Sequence, residues 1–140
     1  MINTNVLRKA MREIAANRGN FTLFALLMRA DGPGAWDLVV SAPWLEGGKL
    51  RATSEFVRLL AQSIGEESLQ QFSRVLALNS ADAPLKFILE NIPVEDGEIR
   101  IENTDLLGMQ IKEGIILRSM KPKPQRSGLP NTPLQPTKRR

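Results

Sequence analysis

The sequence predicts an α+β domain: a mixed, mostly antiparallel sheet with helices packed on it. Two observations carry that prediction. Apolar stripes at helical spacing alternate with short apolar runs of strand length. Turn residues close hairpins near both ends of residues 1–119, which favours antiparallel pairing over the regular βαβ repeat of a doubly wound fold. The predicted order is α-β-β-α-β-α-β-β(-β).

The first helix spans residues 4–18. Val6, Ala10 and Ile14 recur at every fourth position with Leu7 and Met11 beside them. Thr4 is the expected cap, and Gly19-Asn20 the stop. Phe21 to Ala30 is a nearly continuous apolar run, as is Trp36 to Ala42. Asp31 to Ala35 (DGPGA) supplies turn chemistry between them, so the two runs read as a hairpin. Continuous rather than alternating apolarity predicts strands covered on both faces.

Pro43 to Leu50 reads as a connection, with Thr53 or Ser54 capping a second helix through Ile64. Phe56, Leu60 and Ile64 form its stripe, and Gly65 its stop. Glu66 to Phe72 adds one or two helical turns, and Arg74 to Asn79 a third strand. Asp82 is placed to cap a short helix with Pro84 in its first turn, ending before Pro93. Glu98 to Asn103 alternates, with Ile99 and Ile101 on one face. Met109 to Lys112 and Ile115 to Arg118 are further strand segments split by Glu113-Gly114, and Gly108 marks a bulge or bend.

The chain has 140 residues and no Cys, His or Tyr. Disulfides, thiol nucleophiles, imidazole metal ligands and Ser-His-Asp machinery are therefore excluded. The formal net charge of +4 is misleading. Six of the 19 cations (Lys121, Lys123, Arg126, Lys138, Arg139 and Arg140) lie after Ser119, where there is no acid. The remaining 13 face all 15 acids, so residues 1–119 carry a net −2. A basic domain face does not follow from the bulk charge. No run approaches the roughly 18 apolar residues of a membrane span, and no signal-peptide pattern is present, so a cytoplasmic location is expected.

Residues 1–119 are read as one domain and 120–140 as a basic tail. Five of the nine prolines fall in that tail, which has too few apolar residues to offset its ordering entropy; disorder is expected. Its end, Leu129-Pro-Asn-Thr-Pro-Leu-Gln-Pro-Thr-Lys-Arg-Arg140, resembles the translated edge of an integron gene-cassette recombination site. Leu129-Pro130-Asn131 can be encoded by a stretch containing GCCTAAC, the boundary motif of such sites, and PLQPT resembles one frame of the adjoining arm. The resemblance covers about 12 residues. It implies a bacterial host and a mobile accessory gene, and it transfers no catalytic residue.

Three surfaces stand out. Trp36 and Trp44 flank the second strand eight residues apart and share a face if the strand stays regular. With Pro43 they form either a partner or ligand surface, homodimerisation being the commonest use, or two aromatics closing the core edge. Gly47, Gly48, Lys49, Arg51 and Thr53 lead into a helix start, where backbone N–H groups favour an anion. The segment is not a P-loop, because Pro43 stands where the first Gly belongs and Leu50 where Ser or Thr belongs. A simple turn-rich connection is the plainer account. Arg8, Lys9, Arg12 and Arg18 form a basic helix face with no interleaved aromatic for base stacking.

Carboxylates fall at Asp31 and Asp37, at Glu95 to Glu98, and at Glu102 and Asp105, without the Glu-x-Lys of metal-dependent nucleases. No serine sits in a nucleophile elbow. No metal site or cofactor is indicated. The expectation is a non-enzymatic interaction or binding module that self-associates, most simply as a homodimer. One alternative is a phosphate or nucleotide ligand binder or enzyme using the Gly47–Arg51 loop. The other is a weak nucleic-acid binder acting through helix one and the tail, which the acidic body disfavours.

Overall fold

A computed structural model describes residues 3–32, 34–46 and 50–121. Gly47, Gly48 and Lys49 lie outside these residues, as does the tail from position 122, including the cassette-like segment 129–140.

The elements run α1 (Thr4–Arg18), β1 (Leu23–Arg29), β2 (Trp36–Ser41), a 3-10 turn (Pro43–Leu45), α2 (Leu50–Ile64), α3 (Glu66–Leu69), β3 (Phe72–Ala77), α4 (Ala83–Asn91), β4 (Ile99–Leu106) and β5 (Met109–Ser119). The five strands form one sheet in the order β3-β2-β1-β5-β4. Three pairings are antiparallel, and β2–β3, joined by the α2–α3 crossover, is parallel. The fold is α+β with a mixed sheet.

Successive residues of a strand point to opposite faces, and here each face feeds its own core. Phe24, Leu26, Leu38, Val40, Ile115 and Leu117 pack beneath α1 and α2 with Leu7, Ile14, Phe56 and Leu60. Leu23, Ala25, Leu27, Val39, Ile111 and Ile116 pack on the other side with Leu85 and Ile88 of α4. The inner strands β1 and β2 are therefore covered twice, which is why their sequences are apolar without alternation.

Several local expectations need correction. Asn3, not Thr4, caps α1: its Oδ1 accepts from the amides of Asn5 (3.0 Å) and Val6 (3.2 Å). Helix α2 begins at Leu50, so Thr53 and Ser54 lie within it rather than capping it. The Asp82 side chain makes no cap bond to α4; its Oδ2 accepts from the Asn79 amide at 2.8 Å, closing the turn before the helix. Strand β3 starts two residues early, at Phe72.

The last strand is unbroken through Glu113-Gly114. A β-carbon at Gly114 would stand 2.7 Å from Ile101 Cγ1, so glycine here makes room for a cross-strand side chain instead of ending the strand. Leu107 and Gly108, both at positive φ (+58° and +72°), form the two-residue link between β4 and β5. Gly108 is therefore a hairpin turn residue rather than a bulge.

Candidate functional site

Four chain segments meet at one end of the sheet. Strands β2 and β3, being parallel, both finish there. Antiparallel β1 begins there, and β5 ends there. Backbone bonds tie the segments together. Thr22 N–H donates to Ser41 O (2.7 Å), Leu78 N–H to Val40 O (2.9 Å) and Met120 N–H to Thr22 O (2.9 Å). Ser41 Oγ adds a bond to Leu78 O at 2.7 Å.

Above this floor lies a cleft of about 710 Å³ between the 3-10 turn and α4. Its size falls in the range of roughly 300–1,000 Å³ typical of small-molecule sites. A crevice outside the carboxyl ends of strands is also where open α/β sheets characteristically take ligands. Pro43, Leu85 and Leu89 supply its apolar wall. Ser80, Glu46, Glu90, Lys86 and Lys121 supply polar groups. Leu85 and Leu89 sit four apart on α4 and so share one helical flank, with Lys86 and Glu90 beside them.

Glu46 is already committed. Its carboxylate accepts from the Ser80 amide (3.0 and 3.2 Å) and from Ser80 Oγ (3.3 Å), clamping the loop after β2 to the loop after β3. Lys86 and Lys121 are exposed and form no ion pair among the described residues. The cleft thus offers two ammonium groups outside ion-pair contact, with the Glu90 carboxylate also in its lining, beside an apolar wall.

Of the residues singled out in the sequence, Pro43 lines this cleft. Trp44 turns away from it. Its ring meets Phe21 edge-on, with centroids 5.7 Å apart, and its Nε1 donates to Gly19 O at 3.3 Å. Trp36 also packs on the α1/α2 core, so both tryptophans are half-buried against the same cluster. They share that cluster although β2 ends at Ser41, because the chain turns through Pro43–Leu45.

Arg51 and Thr53 lie in the first turn of α2, directly after the undescribed Gly47–Lys49. The four cations of α1 do not make one uniform face. Arg8 pairs with Glu98 at 3.8 Å, and Arg18 pairs with Glu55. Lys9 and Arg12 are exposed.

Asp37 is buried beneath two arginines. Its Oδ2 accepts from Arg29 Nε (3.2 Å) and Arg74 Nε (3.0 Å), while its Oδ1 has no partner among the described residues. The carboxylate therefore serves as a structural counter-ion on the α4 side of the sheet. Among the described residues no group of three or more carboxylates is placed to hold a metal ion. No described helix is long and apolar enough to cross a membrane.

Sequence reading had no local signal for Ser80, Leu85, Lys86, Leu89 or Lys121 as a site, because they come from three segments that only the sheet order brings together. The one usable clue would have been parallel pairing of the second and third strands, which directs two strand exits to the same end.

Comparison with protein-family models, with curated proteins and with solved structures finds no match.

Proposed function

We propose that this chain is a non-enzymatic binding module whose ligand is a small organic anion with an apolar body, held in the cleft beneath α4. The observation that supports this reading is the pairing of an apolar wall (Pro43, Leu85 and Leu89) with Lys86 and Lys121, which form no ion pair among the described residues, in one cavity of about 710 Å³. The alkyl part of such a ligand would displace water from Pro43 and Leu89, the apolar lining residues that reach solvent. Its carboxylate or phosphate would take charge-assisted hydrogen bonds from Lys86 and Lys121.

A binding role fits the polar groups better than a catalytic one. The Ser80–Glu46 contact, the only hydroxyl–carboxylate contact among the described residues of the cleft, also engages the Ser80 backbone amide, so it fixes the loop. Activation of a serine requires a positioned general base; the sequence has no imidazole, and the one base in contact with Ser80 among the described residues, Glu46, is engaged by the backbone amide as well.

Titrating the labelled protein with octanoate, octyl phosphate and octanol, followed by NMR amide shifts, tests the reading. Both anions should move the resonances of Ser80, Leu85 and Leu89 and bind more tightly than the neutral alcohol. Lys86→Ala and Lys121→Ala should each weaken anion binding several-fold. Absence of shifts at these residues, or equal binding of the alcohol unaffected by either substitution, would reject the proposal.

A further inference from the structure

The sheet ends in two open edges, β3 and β4. An unpaired strand edge presents a row of backbone donors and acceptors and is a template for pairing with another chain. Edge strands are commonly protected by proline or lysine. Strand β4 (Ile-Arg-Ile-Glu-Asn-Thr-Asp-Leu) contains neither.

The first half of β4 is chemically self-complementary. Arg100 and Glu102 flank Ile101 and share one face of the strand, while Ile99 and Ile101 share the other. Asn103 has φ +50°, which interrupts the regular extension and leaves Ile101 at the centre of residues 99–103.

We infer that β4 pairs antiparallel with β4 of a second copy of this chain, around a two-fold axis at Ile101, to give a continuous ten-stranded sheet. In that register Arg100 of each copy lies opposite the partner's Glu102, twice by symmetry, and the two Ile101 side chains meet on the α4 side. Shifting the register by one residue pair in either direction is penalised. One shift sets Arg100 against Arg100 and Glu98 against Glu102. The other sets Glu102 against Glu102. Like charges directly opposite one another destabilise a strand pair. The symmetric contact is closed, so it stops at a dimer.

The β3 edge does not offer the same match. It carries Arg74 but no acid, and the Arg74 guanidinium is already held by Asp37 and Met109 Sδ. Within the monomer Arg100 Nε bonds Glu98 at 2.9 Å, with 63% of its side chain exposed, so it can add a second carboxylate without leaving the first. This inference is independent of the cleft and of its ligand.

Sedimentation velocity on the full chain over a wide concentration range provides the test, with circular dichroism confirming that each variant is folded. The wild type should form a dimer. Arg100→Glu and Glu102→Arg should each raise the dimer dissociation constant by about tenfold. The double variant Arg100→Glu/Glu102→Arg should restore wild-type association. A wild type that stays monomeric at its highest attainable concentration overturns the inference. So does a dimer indifferent to both single substitutions, or a failure of the double variant to recover. Open-ended polymers would also overturn it, because they would point to head-to-tail pairing of β4 on β3.

Discussion

Strands β1 and β4 flank the same partner, β5, yet their surroundings differ almost completely. Leu23 to Leu27 are buried without interruption, whereas β4 buries only Leu106 fully. Both strands satisfy one edge on β5. The difference lies in the layers. β1 has α1 and α2 on one face and α4 on the other, while β4, at the edge of the sheet, gives only Leu106 and part of Ile101 to the α4-side core. Sheet pairing gives both strands their shape, and stacking on both faces stabilises β1 far more than β4.

The sharpest test of that contrast is Phe24→Ala. The ring is fully buried, 5.1 Å from Phe21 and 6.3 Å from Phe56 by ring centroid. Truncation should leave a cavity and cost about 3–5 kcal/mol. Ile99→Ala on β4, at 38% exposure, should cost only about 1–1.5 kcal/mol, because the side chain is already partly in water and no enclosed cavity is left. Urea denaturation at one fixed protein concentration measures both. Comparable losses for the two variants would mean that the strands are equally important to stability.

A smaller effect is expected where the two regions touch. The β-carbon of Gly114→Ala would stand 2.7 and 2.9 Å from Ile101 Cγ1 and Cδ1 and 3.0 Å from Leu27 Cδ2. Gly114 thus lies between a core residue of β1 and the exposed strand β4. Overpacking of this kind costs about 1–3 kcal/mol. Ile101→Ala removes the closest clashing atoms, so the double variant should be more stable than the sum of the single losses predicts. Strict additivity in that double-mutant cycle would show that Ile101 is not what the glycine accommodates.

The same contrast explains what the sequence could convey. The doubly covered strands announce themselves as uninterrupted apolar runs, and Gly19 and Gly65 mark the ends of α1 and α2 where the chain leaves the helix. Gly114 misleads because its reason is Ile101 on the neighbouring strand, and no local rule contains that neighbour. Thr53 and Ser54 look like caps because their types favour that position, but Leu50–Ala52 extend the helix ahead of them. The cleft was legible only at Pro43. Lys86 and Lys121 are 35 positions apart and line one cleft through the sheet order, while Trp44, the more conspicuous residue, is drawn inward by Phe21 and Phe56.

The smallest expected effect lies at the junction of α1 and the start of β4. Partial burial pushes the Glu98 carboxyl up. Hydrogen bonds involving Thr4 and Arg100, with the charges of Arg100 and Arg8, outweigh it and hold the group below the ordinary glutamate value. A carboxyl that binds its proton less readily when folded stabilises the fold above its unfolded pKa, and that contribution fades as pH falls through the folded value. The unfolded value is about 4.3, so the full contribution is present at neutral pH and decays below roughly pH 4. Glu98→Gln should therefore cost under about 1 kcal/mol at pH 7, in the range of exposed ion pairs, and the gap to wild type should close in acid. High salt at pH 7 should narrow it as well. Unfolding curves for both proteins at pH 7 and pH 3 decide the matter. A gap of the same size at both values would mean that Glu98 acts through packing and not through its charge, leaving α1 and β4 joined by contact alone.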